Sequence, residues 1–278
     1  MSQQVRDIEQ QYWRHAHLPQ LELRSTRSSR RAYKAHSHRA LSIGAIQSGQ
    51  TRLECDGREL LLQQGELVII EPGLVHACNP VGDAARGYHM LYIDTPWCLA
   101  QLAALYARPI ERLSCEQRLI RQPQLFADYL ALVDQLTASV ADPAPLFERF
   151  AFKILSGYCS PGQDREEQPA LCHQVKRLLL ENLAQPPSLE RQAGQLGYSR
   201  ETLIRTFGKS FGITPMAFVN NARIEQAKLL LKAGQQIAEV ALELGYSDQS
   251  QFHRAFVGYT ASTPRQYQQA RSISDNNR

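Results

Sequence analysis

The 278-residue sequence has no apolar run approaching the ~20 residues that a membrane span needs. Its first stretch, MSQQVRDIEQQYWRHAHLP, has no apolar core of the kind a secretory signal carries, so no export signal is read there. None of the six cysteines (Cys55, Cys78, Cys98, Cys115, Cys159 and Cys172) forms a CxxC pair. Free thiols in a reducing cytoplasm are therefore expected, rather than a disulfide framework or a thiolate metal knuckle. Charge is nearly balanced, at net +4. It is unevenly placed, however: residues 1–170 carry 18 Lys and Arg against 19 Asp and Glu, and residues 171–278 carry 13 against 8. A basic second half points to a polyanionic partner.

What is present falls into two parts. SPGQDREEQPA (Ser160–Ala170) is polar, rich in Pro, Gly and charge, and without periodicity, as a linker is. Before it, short apolar or alternating runs are broken by glycine, with Asp56-Gly57 between TRLEC and RELLLQ as a hairpin signal and GYHMLYID (Gly87–Asp94) as a further strand. Such strands suggest an antiparallel barrel or jelly roll. Helical spacing follows over Gln122–Val140 (Leu125, Tyr129, Leu132, Val133, Leu136) and over Pro145–Cys159 (Phe147, Phe150, Ala151, Ile154). Those faces have three available partners: the barrel, each other, or a second subunit. After the linker the pattern is wholly helical. The fold expected is thus α+β: a barrel domain over residues 1–160, a linker over 161–170 and an all-α domain over 171–278.

The helical half contains one unit twice, about 48 residues apart: LERQAGQLGYSRETLIRTFGKSFGITPMAF and IAEVALELGYSDQSQFHRAFVGYTASTPRQY. In the second copy Ile237, Val240, Ala241 and Leu244 form one apolar stripe. Gly245 can take the left-handed conformation that ends a helix, and Ser247 can cap the next one. Phe252 and Phe256 then face inward, leaving Gln249, Ser250, His253 and Arg254 outward. In the first copy Leu203 and Phe207 face inward, and Glu201, Thr202, Ile204 and Arg205 look elsewhere. Helix, glycine turn, and helix with a polar outer face is the pattern of a helix-turn-helix reader. The second copy has one more residue between GYS and Phe256 than the first has between GYS and Phe207, which predicts a reading helix that begins one residue longer. Each unit ends in Thr-Pro, a cap followed by a first-turn proline (Thr214-Pro215, Thr263-Pro264). Between the units, Pro215–Gly234 predicts a helix of roughly 28 Å with Phe218, Ala222, Leu229 and Leu230 near one face. Successive major grooves on one side of a duplex lie ~34 Å apart, so such a rod can serve two readers on one DNA face.

Residues 171–278, through LGYSDQSQFHRAF and TPRQY, resemble the DNA-binding domain of AraC/XylS-type transcriptional regulators. The resemblance implies sequence-specific binding of double-stranded DNA that activates or represses transcription, with RNA polymerase and a second copy of the chain as further candidate partners. It implies a location in the cytoplasm, on the nucleoid. The base-contacting positions it implies are Glu201, Ile204 and Arg205 in the first reader, and Gln249, Ser250, His253 and Arg254 in the second. Two positions depart from the family pattern. Ala261 stands where glycine is common, and Ile204 is apolar where relatives are often polar, which suits contact with a thymine methyl.

The first half carries YKAHSHRALSIGAIQSG and GELVIIEPGLVHACNP. His36 and His38, two apart, share a face on an extended chain, and a Pro-Gly turn delivers His76 to a neighbouring strand. These segments resemble the two halves of a cupin barrel motif, and residues 30–95 resemble the sensor domain of many AraC-type regulators. Metal-binding cupins have a Glu a few residues after HxH; here HRALSIG has no carboxylate, so no metal and no cofactor are expected. The preferred reading is a pocket for a small-molecule effector lined by His36, His38, Arg39, His76 and Tyr92, in a protein that is not an enzyme. The alternative is a cupin-type metal-dependent enzyme tethered to a DNA-binding domain.

Overall fold

The structure is a computed structural model that describes residues 9–138, 141–162 and 169–273. The N-terminal domain begins with β1 (Glu9–His15), β2 (Leu18–Ser29), β3 (Leu41–Ser48), β4 (Thr51–Cys55), β5 (Arg58–Leu62), β6 (Leu67–Ile70), β7 (His76–Pro80) and β8 (Arg86–Ile93). The chain then runs through α1 (Thr95–Tyr106), β9 (Leu113–Ser114), β10 (Leu119–Ile120), α2 (Pro123–Ala138), α3 (Ala144–Tyr158) and β11 (Ser160–Pro161). Helices α4 (Ala170–Glu181), α5 (Leu189–Leu196), α6 (Arg200–Phe211), α7 (Pro215–Lys232), α8 (Ile237–Glu243), α9 (Gln249–Thr260) and α10 (Pro264–Gln268) follow, and β12 (Arg271–Ile273) comes last.

Two sheets enclose the barrel. One has the order β10-β6-β3-β8-β2-β1-β12, the other β5-β4-β7. The large sheet is buried on both faces because its residues alternate between two cores, as the two-residue period of a strand requires. Leu21, Leu23, Leu41, Ile43, Ala45, Leu67, Ile69, Leu91 and Ile93 point outward to a layer formed by α1, α2 and α3. Ile46, Val68, Ile70, Tyr88 and Met90 point inward, to Leu53 and Leu62 of the small sheet. The apolar faces of α2 and α3 thus pack on the barrel: Tyr129 donates to the carbonyl of Ile43 (3.0 Å) and stands edge-on to Phe150. Of the helix expected over Gln122–Val140, residues 139–140 lie outside the described residues, as do residues 163–168 of the linker. The linker's first residues are not free, since Ser160 and Pro161 pair with Ser114 and Leu113.

The C-terminal half departs from all-α at one point. Arg271–Ile273 forms a strand parallel to β1, in the register Trp13↔Arg271. No periodicity could mark so short a strand, because its hydrogen-bonding partner lies some 258 residues away in the sequence. Elsewhere the caps form largely as expected. Ser199, Thr214 and Thr263 each accept a hydrogen bond from the backbone N–H three residues on, and Thr263 with Gln266 forms a reciprocal capping box. The cap of α9 is Asp248 rather than Ser247; Ser247 bonds Gln251 instead. The additional residue of the second copy therefore lengthens the turn, and α6 and α9 are both 12 residues long. Ala261 takes the left-handed conformation (φ 52°) that glycine would adopt without strain, and its methyl is buried against the barrel core.

Helix α7 is a rod of roughly 27 Å that serves two cores. Val219 joins Val175, Leu179, Leu203 and Phe207 of the first unit, while Ile224, Ala227 and Leu231 join Val240, Phe252, Phe256 and Tyr267 of the second. Its buried positions are Pro215, Val219, Asn221, Ile224, Ala227 and Leu231. The expected face of Phe218, Ala222, Leu229 and Leu230 is not the buried one, and Leu229 is exposed. A single stripe describes a helix packed on one partner, whereas α7 has three: the two units and the barrel.

The equivalent turn glycines of the two units make a direct comparison. Gly197 and Gly245 both have positive φ, at 73° and 76°. A methyl on Gly197 meets nothing within 4 Å, but one on Gly245 runs into the backbone carbonyl of Ala184. Gly197→Ala is expected to cost about 1–2 kcal/mol, the left-handed penalty alone. Gly245→Ala is expected to cost clearly more, because a backbone segment must move. Urea unfolding of the two variants measures the difference.

Candidate functional site

Three of the expected effector residues converge at the barrel mouth. His36 and His76 exchange backbone hydrogen bonds (3.0 and 2.8 Å), which locks the HxH segment to the start of β7. The rings of His36, His38 and His76 stack within 4.6–5.2 Å of one another, and Nε2 of His36 lies 3.2 Å from Nε2 of His38. Nδ1 of His36 lies 2.6 Å from the carbonyl of Lys34, and Nδ1 of His76 lies 2.9 Å from that of Leu74. A carbonyl only accepts, so those nitrogens carry the protons and the Nε2 lone pairs face the barrel. Tyr92, inward-facing on β8, sets its ring edge-on to His38 at 5.2 Å.

All three imidazoles are held neutral. Burial, followed by the neighbouring His76 and His38, pushes His36 well below the usual histidine range. Burial and then Lys228 lower His38, and burial and then His38 bring His76 down to about 3. Each ring offers one ligand atom, all within 4.8 Å of one another. Glu225, paired with Lys228 (2.6 Å), faces the far nitrogen of His38 (3.6 Å to Nδ1), as an outer-sphere carboxylate does beside a metal-bound imidazole. The buried guanidinium of Arg24, which acts on both His38 and His76, opposes a metal cation there. The cluster suits hydrogen bonding to a polar ligand.

Arg39 lies outside the interior cavity: its exposed side chain lines the clefts beside α7, and its backbone N–H donates to Glu225 (3.2 Å). The arginines that do line the interior are Arg24 and Arg86, stacked against Tyr33 and Tyr88. Sequence reasoning missed both. The available signal was an arginine in an inward register on a two-sided strand, as in LELRST of β2. The interior cavity itself measures about 30 Å³, room for one or two waters.

The DNA-binding half lies across the mouth. Asn221 of α7 exchanges hydrogen bonds with the backbone of Ser37, between the two histidines (3.2 Å each way). Lys34 donates its backbone N–H to the carbonyl of Gly258, and the hydroxyls of Tyr12 and Ser262 meet at 3.0 Å. Glu22, inward on β2, binds Lys232 of α7 and Arg14 of β1, each at 2.8 Å, and accepts from the hydroxyl of Tyr267. Two clefts remain beside α7, of about 830 Å³ and about 800 Å³.

The reading positions sit at the surface. Glu201 and Arg205 on α6, and Gln249, Ser250 and Arg254 on α9, are exposed, and Ile204 and His253 are half-buried. Leu203, Phe207, Phe252 and Phe256 face inward as the spacing requires.

Glu22 supplies a pH test of the docking. Burial alone would raise its carboxyl, but the charges of Lys232 and Arg14 outweigh burial and hold it below its ordinary value. Its stabilisation is therefore complete above the ordinary carboxylate range and lost as pH falls through the depressed value. Glu22→Gln is expected to lower stability at pH 7 by about 2 kcal/mol, less than for a fully buried pair because Lys232 is part-exposed. In acid the wild type protonates and the difference closes. Denaturation across a pH series reads both effects.

Comparison with known proteins agrees with this two-part architecture. Residues 18–151 match the AraC-like ligand binding domain, and residues 192–270 match a helix-turn-helix domain. The HTH-type transcriptional regulator YbfI of Bacillus subtilis is 24% identical over 234 residues, 77% of this chain and 79% of that protein. An HTH-type transcriptional regulator of Haemophilus influenzae is 35% identical over 107 residues, 36% of each chain. ToxT from Vibrio cholerae shares the fold at 15% identity, with a TM-score of 0.54 over 90% of this chain and 97% of that one. Other ToxT structures hold an unsaturated fatty acid or (E)-4-(8-methylnaphthalen-1-yl)but-3-enoic acid. With a ligand-binding domain of the AraC type joined to a helix-turn-helix domain, the chain is an AraC-type DNA-binding transcriptional regulator.

Proposed function

We propose that the barrel controls the two readers through α7, without catalysing a reaction. The observation that carries this reading is that α7, the rod that spaces the readers, is itself bonded to the barrel mouth through Asn221 and Lys232. A small molecule that enters beside His36, His38, His76 and Tyr92 changes the surface on which α7 rests. It acts by favouring one arrangement of α7 on the barrel over another, since equal affinity for both would shift nothing. That ToxT structures hold organic ligands supports an organic effector for this fold. The functional division is residues 1–160 for sensing, 161–170 for connection and 171–278 for DNA.

In the same reading Glu201, Ile204, Arg205, Gln249, Ser250, His253 and Arg254 contact base edges. RNA polymerase is a further partner on the nucleoid, in the cytoplasm. Two copies of the chain pair through the outer helices, where Leu105 of α1 and Phe152 of α3 are exposed beside one groove.

Two measurements on the intact chain test the proposal, using a duplex selected by the protein from random sequence. Arg205→Ala and Arg254→Ala are each expected to lower the ratio of specific to nonspecific affinity by about tenfold, the worth of a bidentate guanine contact. An equal loss on all sequences would make them phosphate contacts. Asn221→Ala combined with Glu22→Gln is expected to change affinity for the selected duplex severalfold, although Glu22 belongs to the barrel. Unchanged affinity in that double variant removes the barrel from the control of DNA binding.

A further inference from the structure

The chain pairs its other buried charges with care. Glu22 has Lys232 and Arg14, and Glu225 has Lys228. The interior of the barrel is different. Arg24 is 8% exposed and Arg86 1%, and among the described residues no carboxylate lies within ion-pair distance of either. A guanidinium does not shed its proton, and a buried ion without a counter-ion costs more than cation–π contacts return. The neighbouring imidazoles are neutral, and the hydroxyls of Tyr33 and Tyr92 are held un-ionised by burial. The cavity therefore keeps an uncompensated positive charge.

The two arginines are not equivalent. Arg86 is tied by Thr51 Oγ1 (3.0 Å) and by the carbonyls of Cys78 (2.6 Å) and Arg31 (3.3 Å), as a structural cross-strand tie is. Arg24 has only long bonds, to the hydroxyl of Tyr88 (3.2 Å) and the carbonyl of Thr260 (3.4 Å); the Nε of each arginine is buried with no partner. Arg24, His38 and Tyr92 line both the interior cavity and the cleft of about 800 Å³, so they form the wall the two share. The interior takes little more than a small polar head. The cleft, walled by Leu21, Trp97 and Leu229 and by the ion pairs Lys228–Glu225 and Lys232–Glu22, takes an apolar body.

Resting on the reading that the barrel takes an effector, we infer that this effector is a small organic anion, a carboxylate with an apolar or aromatic body, whose charged group pairs with Arg24 between His38 and Tyr92. The inference also names the coupling. Thr260 is the last residue of α9, where free carbonyls carry the negative end of the helix dipole. Arg24 serves that carbonyl when the site is empty of anion. A carboxylate is a stronger partner for a guanidinium than a neutral carbonyl, so binding draws Arg24 from α9 and frees the end of the second reading helix.

The test uses the intact chain, with trans-cinnamate and octanoate as probes at millimolar concentration and their primary amides as uncharged controls. Thermal unfolding and affinity for the selected duplex are the readouts. Both carboxylates are expected to raise the unfolding midpoint and to shift DNA affinity, while the amides do neither. Arg24→Met is expected to bind the carboxylates at least tenfold more weakly, while its midpoint without ligand is kept or raised, because an uncompensated charge is gone. A sharply lowered midpoint in Arg24→Met makes Arg24 a structural tie and overturns the inference. Equal responses to amides and carboxylates, or an undiminished carboxylate response in Arg24→Met, also overturn it but leave effector control standing. If neither probe class acts on the wild type, the inference falls as well, while effector control is decided by the double variant of Asn221 and Glu22.

Discussion

The charge cluster around Glu22 is the interaction on which the relation of the two halves depends. A carboxylate buried on an inner strand position is costly unless it is paired and hydrogen-bonded. Here the partners come from both halves, Arg14 from β1 and Lys232 and Tyr267 from the DNA-binding domain. Satisfying Glu22 therefore requires the docked arrangement. Around that point the other contacts follow: β12 adds to β1, Tyr12 enters the core of the second unit, and Asn221 reaches the chain between the two histidines.

Docking gives α7 a second role. As a rod it joins the cores of the two helix-turn-helix units; as a strap it is bonded to the barrel mouth. Glu225 illustrates this, since one carboxylate meets Lys228 on its own helix, His38 in the sensor cluster and the backbone of Arg39. The control of transcription proposed here needs no long pathway, because the sensing and spacing residues are in direct contact.

The barrel interior shows how charge selects chemistry. Three convergent imidazoles by themselves suit a metal, and the HxH spacing draws attention to that use. The same space, however, holds a buried guanidinium with no carboxylate partner among the described residues, together with histidines that burial keeps neutral. An anion, rather than a cation, is the partner we infer for it.

Much of the fold was legible in the sequence because its causes are local. The hairpin at Asp56-Gly57, the helices over Leu125–Leu136 and Phe147–Ile154, the two glycine turns and the Thr-Pro caps each follow from the spacing and torsional preferences of a few neighbouring residues. The inward and outward faces of α6 and α9 follow from the helical period, whereas the meeting of His36 and His38 with His76 was expected from strand alternation, the Pro-Gly turn and the resemblance to a cupin motif. What only the tertiary structure decided lies between segments far apart in the chain. It placed Arg39 outside and Arg24 inside, turned the tail into a strand on β1, and buried Asn221 where a single apolar stripe was expected. Sequence periodicity records which side of an element is buried, but not what buries it. The partners of Glu22, Asn221 and Arg24 are set by domain docking, and that depends on contacts across more than 180 residues of sequence.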